Sequence, residues 1–268
     1  MIGLGLNINQ LVGRTTAPTE SLRDQVIAAL FGDGEQGIFI DPADDGLMFQ
    51  SRTSATTPAG DSDPVGTAVG AEGLDSMIAP NDAARPARDF TDGVWGLRGD
   101  GIDDQINTGA DYAIEVPWYF AVAYKPIGAS FHTVFNLGRD GSNYFLIRSR
   151  NSTTNSVLTQ TRGGIESIAT ESIDGPENSA PIGDWVVVEL LVEAGRTRVW
   201  VGGDEIADES NSWGASDSID ISFLGVFNRG GLVNTGELVH GAAIAVNRAP
   251  NSAERQLILD LMAERGYM

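Results

Sequence analysis

The chain has 268 residues, with 17 basic and 37 acidic side chains, two histidines and no cysteine. A net charge of −20 repels nucleic acid and anionic membranes, and the lack of thiolates with so few imidazoles excludes the usual zinc sites. Thirty-three glycines in a chain that is 41% hydrophobic and 20% charged point to a turn-rich, globular β protein.

Residues 1–18 read as an extended arm in which Leu4, Leu6 and Ile8 alternate with Gly5, Asn7 and Asn9, the period of a strand with one apolar face. Terminal disorder is the default reading of such an arm, and the apolar alternation shifts Leu4, Leu6 and Ile8 towards an assembly role, adding a strand to a neighbouring subunit. The opening MIGLGLNINQLVGR lacks the basic start and apolar run of a secretion signal, and no apolar stretch of about 18 residues suggests membrane insertion. A short helix is expected next, with Thr19 as its cap, Leu22, Val26, Ile27 and Leu30 as its apolar stripe, and Gly32 and Gly34 as its stop.

Residues 1–36 thus form a first unit, and 37–92 a loop-rich lead-in: GIFIDPADDGLMFQ, then a stretch rich in Thr, Ala, Gly, Asp and Pro that holds two or three short strands. The main unit spans 93–268. Strand patterns occur at DYAIEVPWYFAVAYKP (111–126), HTVFNLG (132–138), NYFLIRSR (143–150), SVLTQTR (156–162), DWVVVELLVEAG (184–195), RTRVWVGGDEIA (196–207), DISFLGVF (220–227) and ELVHGAAIAVNR (237–248). So many strands with glycine-containing connections argue for an all-β, antiparallel two-sheet sandwich. A closing helix is expected after Asn251 or Ser252, with Leu257, Ile258, Leu261 and Met262 on its apolar face and Gly266 at its end.

DWVVVELLVEAGRTRVWVGGDEIAD resembles the hairpin of concanavalin A-like, laminin-G-like jelly rolls, in which a tryptophan opens one strand and the partner ends in a Y-V-N-G turn, here Trp200 to Gly203. GDGIDDQI is similar to the F-D-G-x-D-D-x-L segment of that family, and HGAAIAVNRAPNSAERQLILDLMAERGYM to its last strand and terminal helix. Upstream, Asp41 and Pro42, Pro64 to Gly66, and Arg85 and Pro86 stand where bacteriophage structural proteins carrying this domain have D-P, P-V-G and R-P. The resemblance implies a non-enzymatic virion protein on the particle surface, in a head decoration, spike, tail or fibre. It would be anchored by residues 1–36, oligomeric, partnered by capsid or tail proteins, and suited to binding host-surface glycans. The competing class is a polysaccharide hydrolase of the same fold; a third is a free bacterial lectin-like protein.

Four acids in and after GLRGDGIDDQINTG, Asp100, Asp103, Asp104 and Asp111, either gather round a calcium ion or bond backbone amides to hold a turn. The tripeptide Arg98-Gly99-Asp100 falls in the same turn and is too short to specify adhesion. GDEIADES (203–210) approaches the E-x-D-x-E of laminarinase-like glycosidases, with Glu205 and Glu209 expected on one face, but Ala207 holds the middle position and the triad is broken. No G-x-S-x-G elbow exists, and neither His132 nor His240 has a nucleophile beside it in sequence; His240 reads as a packed side chain. Sugar binding calls for an exposed ring. Trp185 and Trp200 fall at core positions of strands, which leaves Trp213, in the polar loop ESNSWGASDS, and Tyr144 as the candidate glycan contacts.

Overall fold

A computed structural model describes residues 20–71, 74–108, 112–128, 132–140, 143–150, 154–163, 168–214, 218–221, 223–226, 228–229, 232–233 and 237–268. Strands are numbered along the chain. The first sheet runs in the order β16 (Asp204–Glu209), β15 (Arg196–Val201), β14 (Val186–Glu193), β9 (Trp118–Pro126), β21 (Leu238–Val246), β6 (Val94–Arg98) and β5 (Ala87–Thr91), and β1 (Gly37–Ile40) also pairs with β21. The second runs β13 (Ile168–Asp174), β12 (Ser156–Gly163), β11 (Asn143–Arg150), β10 (His132–Asp140), β18 (Phe223–Val226), β7 (Ile106–Asn107), β4 (Met77–Ile78), β3 (Thr67–Ala68) and β2 (Met48–Phe49). Two ribbons complete the set: β8 (Tyr112–Glu115) with β17 (Ser218–Ile221), and β19 (Asn228–Arg229) with β20 (Leu232–Val233).

The pairings between named strands are antiparallel, and the lead-in 37–92 is woven into both sheets through β1 to β5. One core lies between the sheets, built on Phe120, Val122, Phe135, Phe145, Ile147, Val188 and Leu190. A second covers the other face of the first sheet, where α1 (Leu22–Phe31) and α2 (Ser252–Glu264) pack on Tyr119, Ala121, Val187, Trp200 and Ile244. Burial on both faces explains why β9, β14 and β21 read as near-continuous apolar runs instead of alternating.

Local chemistry fixes the helix ends. Ser21, not the expected Thr19, caps α1 by accepting the Asp24 amide at 3.1 Å; Thr19 lies outside the described residues, as do Leu4, Leu6 and Ile8. Asn251 caps α2 in a reciprocal box with Glu254, whose carboxylate returns to the Asn251 amide at 2.7 Å. Gly202 and Gly203, at φ 60° and 88°, make the two-residue turn from β15 to β16, where both positions need positive φ. None of the helices among the described residues is long and apolar enough to cross a membrane.

Candidate functional site

Strands β13 and β16 each lie at one edge of their sheet, and between them the sandwich opens into a cleft of about 230 Å³. Its wall changes character along the strands. Where β11 and β12 supply Phe145 and Val157 to the inter-sheet core, the next inward positions toward the edge are Thr159 and Thr161, facing Thr197 of β15, with Glu209 and Asn211 at the rim.

The hydroxyls are held by the loop that follows β16. Asn211 Nδ2 donates to Thr197 Oγ1 at 2.8 Å and to the Glu193 carbonyl at 3.0 Å, while its Oδ1 accepts the Trp213 amide at 3.1 Å. Trp213 Nε1 donates to Thr161 Oγ1 at 3.3 Å. Each threonine oxygen therefore accepts from the protein and keeps its own O–H to give away. Glu209, exposed at the rim, adds an acceptor, so donors and an acceptor meet in one polar recess.

This geometry corrects the expectation for Trp213. Its ring is only 2% exposed and lies 4.9 Å from Phe145, centroid to centroid, because it closes the end of the core instead of standing in solvent. Tyr144 is likewise buried, at 1%. Neither ring can stack on a sugar. Among the described residues the exposed aromatic is Phe90, 4.8 Å from Trp95 in the β5–β6 hairpin. The signal for it was the Asp92-Gly93 pair, both at positive φ, which marks a two-residue hairpin turn.

Glu205 and Glu209 do not share a face. The register slips between Val199 and Trp200, so Glu205 pairs with Trp200 on the helix-covered face while Glu209 pairs with Thr197 on the inner one. The extra residue turns Ile206 inward beside Ala207, and both pack on the core. Retaining hydrolysis needs two carboxyls about 5–5.5 Å apart on one face, which this bulge prevents for the pair. Asp208 is held by Arg196 in two bonds of 2.7 and 2.6 Å, and Arg196 holds its carboxyl below the usual range.

Asp100, Asp103 and Asp104 do converge, with one carboxylate oxygen of each lying within 4.8 Å of the others; Asp111 is outside the described residues. Asp104 Oδ2 accepts the Asp100 amide at 2.7 Å, and Asp100 Oδ1 accepts from Ile102 at 2.7 Å and Asp103 at 3.4 Å. These are the bonds of a turn; three carboxylates supply part of the six to eight oxygens calcium takes, and backbone carbonyls and water can complete such a set. Arg98 is exposed at the end of β6 and Gly99 bonds the Leu238 carbonyl at 3.1 Å, so the Arg-Gly-Asp tripeptide begins in the sheet.

Desolvation pushes the Asp104 carboxyl up to about 6, with the Asp100 and Asp103 charges adding to it against the Asp100 amide. A carboxyl raised in the folded state binds protons there more tightly than in the unfolded chain, so its contribution to stability falls as pH climbs from about 4 to about 6. Asp104→Asn is expected to flatten the melting-temperature profile over that window and to stabilise the protein at pH 7 by about 1–2 kcal/mol. Thermal melts from pH 4 to 8, with and without chelator, measure both effects. A calcium-dependent rise abolished by the substitution would replace the turn with a metal site.

His240 is fully buried, its Nδ1–H donates to the Gly241 carbonyl at 2.8 Å, and burial pushes its pKa down to about 4, so it is a neutral packed ring; the His132 side chain lies outside what is described. On the outer face of the second sheet Asn136 and Thr133 are completely buried, with β17 lying against β10 and β11. Among the described residues, both polar atoms of the Asn136 carboxamide, and the Thr133 hydroxyl, lack a hydrogen-bond partner.

No protein-family model and no curated protein sequence matches the chain. Solved structures match it by shape. The Trypanosoma rangeli sialidase superposes with a TM-score of 0.55 at 13% identity, over 87% of this chain and 33% of that one. The botulinum neurotoxin serotype G binding domain gives 0.50 at 9%, over 72% and 50%. A botulinum neurotoxin type C structure, described by cell entry that depends on two ganglioside molecules, gives 0.53 at 9%, over 87% and 52%. The chain spans between a third and about half of these proteins, and at such identities the likeness shows the fold. That fold is an antiparallel jelly-roll sandwich with two helices on one face.

Proposed function

We propose that the chain is a non-enzymatic glycan-binding protein displayed on a phage particle, attached to capsid or tail proteins through its N-terminal arm, residues 1–18, and assembled as an oligomer. The cleft between β13 and β16 carries the binding half of this reading: Thr161 and Thr197 are preset as donors by Trp213 and Asn211, and Glu209 offers an acceptor. A sugar hydroxyl both donates and accepts, so this pairing suits it better than it suits an apolar ligand. The ganglioside-dependent entry stated for the type C neurotoxin supports the class of ligand. The D-P, P-V-G and R-P resemblances upstream support the virion setting.

Glycan-array and calorimetric binding test it. Glu209→Gln and Thr197→Val are each expected to weaken the best glycan by about 5–30-fold, the worth of one to two hydrogen bonds, with melting temperature nearly unchanged for Glu209→Gln. Absence of any saccharide binding, or affinities unchanged in both variants, would remove the cleft from the reading. Steady release of reducing sugar from host polysaccharide would sink the non-enzymatic part, and particles that incorporate the protein lacking residues 1–18 would sink the anchor.

A further inference from the structure

A second recess lies in the lead-in, between the loop 50–57 and the turn 79–85. It has a volume of about 450 Å³ and is lined by Gln50, Ser51, Arg52, Thr53, Asp82 and Arg85 together with Thr57. That volume is in the range of small-molecule sites, about 300–1,000 Å³. Two arginines on one recess are notable in a chain of net charge −20.

Their surroundings differ from those of the other arginines. Nine arginines among the described residues sit in ion pairs with a carboxylate. Arg85 is one of them, but its partner Asp82 is distant, at 3.8 Å, and largely in solvent. Arg52 has no carboxylate within ion-pair distance among the described residues. It is held by main chain alone: Nε donates to the Ala79 carbonyl at 2.6 Å and Nη2 to the Pro80 carbonyl. Arg85 is pinned in the same manner, Nε to the Asp82 carbonyl and Nη1 to the Gln50 carbonyl, each at 3.0 Å.

Carbonyl oxygens fix a guanidinium without cancelling its charge. A guanidinium carries five N–H donors, so each arginine keeps three after these bonds, and its long side chain has already lost the freedom that binding would otherwise remove. Two fixed cations beside an amide and three hydroxyls form a seat for an oxyanion that is attached to a hydroxylated ring. The overall negative charge does not prevent this, because at physiological salt its reach is limited to about 8 Å, and among the residues lining the recess two arginines face one carboxylate, Asp82.

We infer that this recess binds acidic saccharides, with Arg52 and Arg85 on a sugar carboxylate or sulfate and Gln50, Ser51 and Thr53 on neighbouring hydroxyls. The inference rests on the glycan-binding reading and adds the chemical class of ligand. It also separates the two recesses: the cleft between β13 and β16 takes neutral hydroxyls, and this one takes the charge.

The test uses the full chain with galacturonic acid trimer, galactose trimer and galactose 6-sulfate, titrated calorimetrically at 50 and 300 mM salt. The galacturonate trimer is expected to bind at least about tenfold more tightly than the galactose trimer, and only the acidic ligands should weaken with salt. Arg52→Gln should remove about tenfold or more of the acidic binding and leave the neutral trimer unaffected.

Since Arg52 also ties two loop segments together, a second variant guards against misfolding. Asp82→Asn removes an exposed negative charge from the rim and is expected to tighten the acidic ligands about threefold, a gain that a purely structural role for the arginines does not produce. Equal affinity for acidic and neutral trimers, or a folded Arg52→Gln protein that binds like the wild type, overturns the inference while leaving the neutral cleft standing. If neither trimer binds, the glycan reading falls with it.

Discussion

Replacing Arg255 with alanine is expected to lower the unfolding free energy by about 3–5 kcal/mol and the melting temperature by roughly 10 °C, a larger loss than its position near the surface suggests. The reason is Glu189, in the middle of β14 and fully buried. Arg255 Nε and Nη2 each donate to its carboxylate at 2.8 Å, and Tyr119 Oη donates to it at 2.6 Å. The guanidinium also lies 3.9 Å from the centroid of the Trp200 ring, on the sheet face that α2 covers.

Burial, and then the Glu189 charge, push the Tyr119 hydroxyl well above its ordinary pKa, so it stays a donor across the working range. Without Arg255 a desolvated carboxylate would keep one neutral donor, and α2 would lose its polar tie to the sheet. The double change Glu189→Leu with Arg255→Met removes both charges and should recover more than half of the loss, because a buried pair costs most when one partner is left alone. Urea melts of the single and double variants measure the difference. A loss below about 1 kcal/mol for Arg255→Ala would mean that water reaches Glu189 and that the pair is a surface one in effect.

Features set by local chemistry were legible in the sequence: the α2 cap at Asn251, the Gly202-Gly203 turn, and the strands of the main unit. The jelly-roll fold followed from strand count and glycine spacing together with the family resemblance. Features set by contacts distant in sequence were not. Trp213 sits in a run of Ser, Asn and Gly that reads as solvent-facing, and only the approach of Phe145 and Thr161 from β11 and β12 makes it core. The period-two rule placed Glu205 and Glu209 together, and one bulge at Ile206 separated them. The β5–β6 hairpin was missed because ARDFTDGVWGLR lacks clean alternation, although Asp92-Gly93 carried the turn signal. The Arg52 recess has no local motif at all, since the carbonyls that hold it come from Ala79 and Pro80.

Trp213→Ala is expected to cost about 3–5 kcal/mol and, if the cleft binds glycan as proposed, to abolish that binding, joining stability and the proposed function in one side chain. The indole fills the end of the inter-sheet core beside Phe145, so its removal leaves a cavity where the sandwich is already open. Trp213→Phe separates the two roles. It keeps an aromatic ring against Phe145 but has no N–H for Thr161, and should lose only about 1 kcal/mol of stability. Glycan affinity should nonetheless fall by about tenfold, because Thr161 is then free to turn its hydroxyl away from the ligand. Melting curves and calorimetric titrations of both variants decide the matter. Full binding by a folded Trp213→Phe protein would show that Thr161 needs no orienting donor, and that the ligand is read by Glu209 and Thr197 from the opposite wall.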